Sequence, residues 1–414
     1  MTGWLRAAVT GLAYNTRPKN NNDTLSMNIL LTLLLAGLTM VGPLAIDTYL
    51  PSFPAIAAEF GATPIAIQQT LSLFLFCFAF MMLFYGTLSD TLGRRPVILW
   101  SLVAYIIASV GGALAGSLGF LLACRVLQGL SSGAGSVVGR AIVQDRFDGA
   151  DAQKILGHIM MVFGLAPAIA PILGGWMQVS LGWRSIFWFL ALFGVVMLFA
   201  VWRWLPESLP QQKRHPFEVK LIAANYLKVL RNHRFLLLSA ALGVAFGGFA
   251  LYIGSAAYFV MNILHLPETA FGWLFIPLVA GMVVGSALSG KLASRYSQAQ
   301  LVWMSYAGMT VAVLANVAYT YFFTAAVPWA VLPLFFYSLA LALAMPPLSL
   351  LALNLFPDNS GLAASLQSFI QMTLFALVSG LVAPLLFDSA FKLACGVLGC
   401  LVVSLLCWIP ARRG

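Results

Sequence analysis

The sequence predicts an all-α membrane protein: twelve transmembrane helices in two six-helix bundles, with both termini cytoplasmic. Three observations lead there: a scarcity of charge, a dozen long apolar runs, and a one-sided distribution of Lys and Arg. Only 8% of the 414 residues are charged and 61% are hydrophobic, whereas a soluble domain carries about 25% charged residues. Water cannot be the main solvent for such a chain. A bilayer core about 30 Å thick takes about 20 apolar residues per helical crossing, so a dozen crossings leave only short loops and one modest linker. The 36 Gly and 20 Pro do not count against helices, because neighbouring transmembrane helices re-satisfy the backbone groups these residues free.

Apolar runs separated by polar or Pro/Gly breaks place the spans near 28–50, 65–85, 97–115, 119–140, 157–179, 185–204, 236–260, 270–291, 300–322, 328–352, 361–385 and 389–409. The longest internal polar stretch, Pro206 to Arg234, divides them six and six. The expected organisation is a cytoplasmic tail over 1–27, a first bundle over 28–205, a cytoplasmic linker over 206–234, a second bundle over 235–410 and a short cytoplasmic tail over 411–414. The first tail lacks the basic, apolar and small-residue pattern of a cleaved signal, and a short interfacial helix is expected near Trp4 to Tyr14.

Orientation follows from the loop cations, which concentrate on the cytoplasmic side. With the N-terminus inside, 19 of the 22 Lys and Arg are cytoplasmic, among them Arg94, Arg95, Arg140, Arg146, Lys154, Lys291 and Arg295. Arg184 and Lys392 fall outside, and Arg125 lies within a span. The net charge of +10 therefore reflects topology and not a nucleic-acid partner. The five cysteines, Cys77, Cys124, Cys395, Cys400 and Cys407, sit in or beside apolar stretches without CxxC spacing and read as small core residues. His158, His215, His233 and His265 read as polar surface. No HExxH, GxSxG elbow or zinc-spaced set appears, so no metal, cofactor or enzymatic chemistry is expected. Gly285 to Lys291 fits GxxxxGK, but Leu292 replaces the Ser or Thr a phosphate loop needs and no strand precedes it.

Of the 12 acidic residues, only Asp47 lies within a predicted span. An ionisable group near the bilayer centre costs at least about 2.5–3.5 kcal/mol to insert, so such residues face a bundle interior and have a function. Span 1 runs outward and span 4 inward; at about 1.5 Å per residue, Asp47 and Arg125 fall at similar depth in the outer half, which allows an ion pair. An aspartate that carries protons must titrate near neutrality; desolvation favours this and a nearby arginine opposes it. Movement of Arg125 toward or away from Asp47 is therefore expected to switch its protonation.

The segment Gly86-Thr-Leu-Ser-Asp90-Thr-Leu-Gly93-Arg94-Arg95 follows span 2, and Gly290-Lys-Leu-Ala-Ser294-Arg295 stands at the corresponding place after span 8. Such an echo suggests two bundles related by an axis along the membrane normal, with a binding site between them. Residues 86–95 match in full the loop motif Gly-x-Leu-x-Asp-x-x-Gly-Arg-(Arg/Lys). On this motif the chain resembles the major facilitator superfamily, drug:proton antiporter group, in its bicyclomycin/chloramphenicol-resistance branch. The resemblance implies that Gly86, Asp90, Gly93, Arg94 and Arg95 lock against the other bundle and control a conformational switch. Residues 122–129, LACRVLQG, resemble the fourth-helix motif and imply a role for Arg125 in proton coupling. Residues 44–51, LAIDTYLP, resemble the first-helix signature, with Asp47 at its acidic position. A second acid carried by some relatives falls here on Thr39. In span 5, Ala166-Pro167-Ala-Ile-Ala170-Pro171-Ile-Leu-Gly174-Gly175 resembles the antiporter motif that the family connects with export, with Ala at two small positions.

The resemblance thus implies a proton-coupled antiporter with the major facilitator fold. It would export amphipathic drugs of the chloramphenicol and bicyclomycin kind across a bacterial inner membrane by rocker-switch alternating access. Its expected partners are a small-molecule drug, protons and the lipid bilayer; the proton gradient drives it without a cofactor, and it acts as a monomer. The alternatives are an exporter of sugars or amino-acid derivatives on the same fold and a membrane receptor or enzyme without transport. A drug site is mostly apolar and aromatic with a few polar groups. Spans 1, 4, 7, 8 and 11 offer Tyr49, Gln128, Phe246, Phe249, Tyr252, Tyr258, Trp273, Gln367 and Gln371.

Overall fold

The computed structural model describes residues 21–147, 149–214 and 219–412. The tail helix expected near Trp4 to Tyr14 lies outside the described residues. Among those described, 12 helical segments are long and apolar enough to cross a membrane. The first six, spans 1 to 6, are Ile29–Phe60, Pro64–Leu92, Arg94–Ala113, Leu118–Arg146, Lys154–Leu181 and Arg184–Trp204. Spans 7 to 12 are His233–Gly254, Glu268–Leu292, Gln298–Phe322, Leu332–Leu353, Ser360–Leu386 and Ala390–Ala411. Several begin on a polar side chain that caps orphan backbone N–H groups. Thr63 accepts from Ala66 N at 3.2 Å, Ser117 from Phe120 N at 3.3 Å and Asn232 from Phe235 N at 3.0 Å, while Ser297 and Gln300 form a reciprocal capping box ahead of span 9.

Departures from straight helices have local causes. Span 1 leaves the helix after Asp47, makes a tight turn over Leu50–Ser52 and resumes as Phe53–Phe60; Pro51 and Pro54 cannot donate the backbone bonds that an unbroken helix needs. Span 4 is two segments, Leu118–Ser132 and Ala134–Arg146, flanking Gly133. Its inner segment runs further than its hydropathy suggests, so Arg140, expected in a cytoplasmic loop, lies inside a helix. Wide, π-type turns occupy Phe259–Ile263 beyond span 7 and Val378–Val382 within span 11. The linker holds a helix of its own, Val219–Leu230, whose Tyr226 hydroxyl donates to Leu83 O at 2.8 Å.

The two bundles meet where span 2 packs on span 11 and span 5 on span 8. One end of the molecule carries the linker helix Val219–Leu230 and the close of span 12; at the opposite, far end, Gln68 Nε2 donates to Ser379 O at 2.9 Å and Ser379 Oγ at 2.8 Å. Beside it Gln69 Nε2 donates to Gly380 O at 3.1 Å. Both carbonyls belong to the wide turn of span 11, where helical registry is disturbed and backbone acceptors need outside donors. A third helix end is tied down nearby. Glu59 accepts from Trp183 Nε1 at 2.6 Å and pairs with Arg184 at 2.7 Å, and Arg184 also donates to Ala115 O at 2.9 Å.

Replacing Gln68 and Gln69 together by Leu removes three inter-bundle bonds, at about 1 kcal/mol net each. Amide hydrogen exchange over residues 378–382 is expected to rise by an order of magnitude or more. Unchanged exchange would mean that apolar packing alone holds the far end closed.

Candidate transport site

Arg125 is fully buried, at 0% exposure, in the first segment of span 4. Its Nη1 donates to Ala45 O at 3.0 Å and to Gln128 Oε1 at 2.9 Å. The guanidinium carbon lies 4.5 Å from the Tyr49 ring centroid and 4.3 Å from that of Phe74. Desolvated cation–π contacts of this kind contribute about 2 kcal/mol or more, and charged hydrogen bonds about 1.5–3 kcal/mol. Among the described residues its Nε and Nη2 have no hydrogen-bond partner.

The choice of Ala45 has a clear origin. The first helix of span 1 stops at Asp47, so its last carbonyls lose their intrahelical donors and its C-terminus carries partial negative charge. Thr48 satisfies Leu44 O through its backbone N, at 3.2 Å, and its hydroxyl, at 2.6 Å. Arg125 takes the next carbonyl. The Asp47–Arg125 ion pair that matched depths allow is therefore not formed: the arginine caps the helix end two residues before the carboxylate. Asp47 itself is buried, at 4% exposure, and no hydrogen bond or ion pair reaches its side chain among the described residues.

Around this pair, Gln128 Nε2 donates to Ser109 Oγ at 2.8 Å, and the Tyr49 and Thr70 hydroxyls share a bond of 3.0 Å. Tyr49 also packs edge-on against Phe53 and Phe187. Tyr49 and Gln128, offered by the sequence as drug contacts, thus help to seat Arg125, the tyrosine through its ring and the glutamine through Oε1. Tyr252 is engaged too, accepting from Asn316 Nδ2 at 2.9 Å inside the second bundle. Phe246 and Phe249 stack at 5.2 Å with Phe375 edge-on to Phe246 at 5.7 Å. Gln367 is buried and accepts from Ser349 Oγ at 2.7 Å, its Nε2 without a partner among the described residues. Gln371 is half-buried behind span 7, Tyr258 packs on Phe387 at 4.6 Å, and Trp273 is exposed.

In span 5, Pro167 and Pro171 sit inside one helix, Gly149–Leu181. Its paired glycines make the closest approaches. A Cβ on Gly174 would lie 2.1 Å from Thr48 O, at the break after Asp47, and a Cβ on Gly175 would lie 2.1 Å from Glu268 O, in the second bundle. Span 5 thereby touches both the acidic break of span 1 and the start of span 8.

Residues 86–95 do not form an extended loop. Span 2 stays helical through Leu92, Gly93 turns the chain at φ +101°, and Arg94 opens the next helix. Arg94 pairs with Asp90 at 2.6 Å and Asp145 at 3.1 Å and donates to Ser89 Oγ at 2.6 Å. Glu207 accepts from Arg94 N at 3.0 Å and Arg95 N at 3.2 Å, an anionic cap on a helix N-terminus, and approaches Arg214 to 3.8 Å. Arg95 Nη2 donates to Trp202 O at 2.5 Å. The expected lock against the other bundle is not what these polar groups make. Asp90, Arg94 and Arg95 bond within the first bundle and to the start of the linker, as suits a molecule pinned between bundles at its far end. Gly86 lies with open space around it.

Glu207 and the Gln68–Gln69 pair were not singled out from sequence, since an acid at a linker start and glutamines at a helix start look like ordinary surface there.

The sequence description of the Major Facilitator Superfamily matches residues 35–383, across both bundles. The chain belongs to the Major Facilitator Superfamily. It is a multi-pass membrane transporter of small molecules, and not an enzyme. A bicyclomycin resistance protein homolog of Haemophilus influenzae is 27% identical over 390 residues, covering 91% of this chain and 94% of the relative. A chloramphenicol resistance protein of Pseudomonas aeruginosa is 30% identical over 273 residues, 66% of this chain and 64% of the relative. Both agree with the drug:proton branch that the 44–51 and 86–95 motifs resemble. Among solved structures, a bacterial homolog of the human lysosomal transporter Spinster, inward-facing and unoccupied, superposes with a TM-score of 0.70 at 18% identity, over 94% of this chain and 96% of that one. It shares the facilitator fold.

For Glu207→Gln, loss of the anionic cap is expected to cost about 1–3 kcal/mol locally. The measurement is the exchange rate of the Arg94 and Arg95 amides together with the thermal midpoint; if neither moves, Glu207 is not what closes the 86–95 turn.

Proposed function

We propose that this facilitator is a proton-coupled antiporter that exports amphipathic drugs, of the chloramphenicol and bicyclomycin kind, from the cytoplasm across a bacterial inner membrane. The excess of Lys and Arg at the terminal end supports a cytoplasmic location for that end. The two far-end cations, Arg184 and Lys392, each lie beside an acid, Glu59 and Asp388, at 2.7 and 2.6 Å. On this orientation the shut far end faces outward.

One observation carries the coupling: Asp47 is the acid buried within a span, and the arginine of matching depth is anchored elsewhere. A buried carboxyl without a cation beside it is a proton site and not half of a structural ion pair. In the proposed cycle the far end opens, Asp47 exchanges a proton with the outside, and the bundles rock inward. A drug arriving from the cytoplasm then competes with that proton for one state of the carrier. Arg125 holds the end of the first helix in register throughout, while Gly174 and Gly175 let span 5 transmit movement at the break in span 1 to span 8. A membrane potential contributes about 2.3 kcal/mol per charge per 100 mV, enough for one proton to drive uphill export.

In a host stripped of its own pumps, the wild type is expected to raise resistance to chloramphenicol and bicyclomycin, and Asp47→Asn to lose both that resistance and drug-driven proton release in proteoliposomes. Full coupling in Asp47→Asn would remove Asp47 from the mechanism. No flux of any drug by the wild type would favour a different solute.

A further inference from the structure

The inner segment of span 4 is two-faced. Ala134, Gly135, Val138, Gly139, Ile142 and Val143 are buried, against neighbours that include Leu38 and Leu35 of span 1. This segment packs on spans 1, 2, 3 and 5 of its own bundle. The opposite face carries Ser136, Arg140 and Gln144, spaced i, i+4 and i+8, with Arg140 and Gln144 exposed. Three polar residues in line on one face of a membrane helix line an aqueous path, because lipid solvates none of them and an arginine directed at hydrocarbon is strongly disfavoured. The polar face is the one that these four spans of the same bundle leave uncovered.

Arg140 has no ion-pair partner among the described residues. The acids that could neutralise it are committed: Asp145, five residues on, is held by Arg94 and Ser208, and Glu207 caps Arg94 and Arg95. The Ser136 hydroxyl donates to its own helix, at Gly133 O, 2.9 Å away. An uncompensated guanidinium therefore stands on that uncovered face, fifteen residues and about 22 Å along the helix from Arg125.

We propose that Arg140 is a charge filter on the inner approach to the transport site, selecting neutral, acceptor-rich solutes such as nitro and carbonyl compounds, and anionic ones, over organic cations. This rests on the export reading above and names the substrate class it favours. A fixed positive charge within a few ångströms of a solute's path changes the passage of a monovalent cation by roughly tenfold in a medium of intermediate dielectric. The effect needs the charge alone, so it is graded: Lys preserves it, Gln removes it and Glu inverts it. A structural role would instead depress transport of all solutes together.

The test compares efflux of chloramphenicol, which is neutral, with that of tetraphenylphosphonium, a cation, in pump-deleted cells expressing the wild type, Arg140→Lys, Arg140→Gln or Arg140→Glu at matched membrane levels. The cation-to-neutral ratio is expected to stay within about twofold for Arg140→Lys, to rise roughly tenfold for Arg140→Gln and to rise further for Arg140→Glu. A ratio that stays flat across the charge series, or both fluxes falling in parallel, overturns the filter while leaving the export reading intact. Efflux of neither probe by the wild type overturns the export reading and the filter with it.

Discussion

A polar group inside a bilayer needs a partner within the protein, and the broken helices of this chain supply them as free backbone carbonyls. The seat of Arg125 is the plainest case. A buried guanidinium ordinarily calls for a carboxylate; here a broken helix supplies a bare carbonyl at Ala45, two aromatic faces and the amide of Gln128. The break in span 1 thus does two things at once: it provides the acceptor that holds the arginine and it leaves Asp47, the next charged group along, without a counter-ion. The same rule operates at the far end, where the wide turn of span 11 presents carbonyls and span 2 answers with two glutamines.

Much of the architecture was legible because it rests on length and composition. Apolar runs locate all twelve spans, since hydrophobic length maps directly onto bilayer thickness, although the ends of spans 1, 2, 4 and 7 are displaced by six to ten residues. The family was legible from a ten-residue motif. Asp47 stood out because acids are rare inside spans, and the structure buries it as the sequence suggested.

What the sequence hid depends on geometry between distant segments. Matching depth along two helices says nothing of rotation about their axes, so Arg125 could be assigned to Asp47 when it belongs to Ala45. Gln68 and Ser379 are 311 positions apart, and no local pattern announces that contact. Arg140 reads as a loop residue in sequence because Ser136, Arg140 and Gln144 lower the hydropathy of a helix that continues regardless. The motif at 86–95 is legible in its residues, yet its partners Asp145 and Glu207 lie 51 and 113 positions from Arg94, beyond any local pattern.

The linker is anchored at both ends of its course. Glu207 and Arg214 hold its start against the turn at Gly93, and Tyr226 ties its helix to Leu83. Five Cα–Cα steps separate Arg214 from Val219, a covalent reach of at most about 18 Å. The helix Val219–Leu230 cannot be carried further than that from the turn at Gly93 unless one anchor lets go. Both fastenings are to the first bundle, so while they hold the linker belongs to that bundle, and the joint to the second is the two residues between Leu230 and His233.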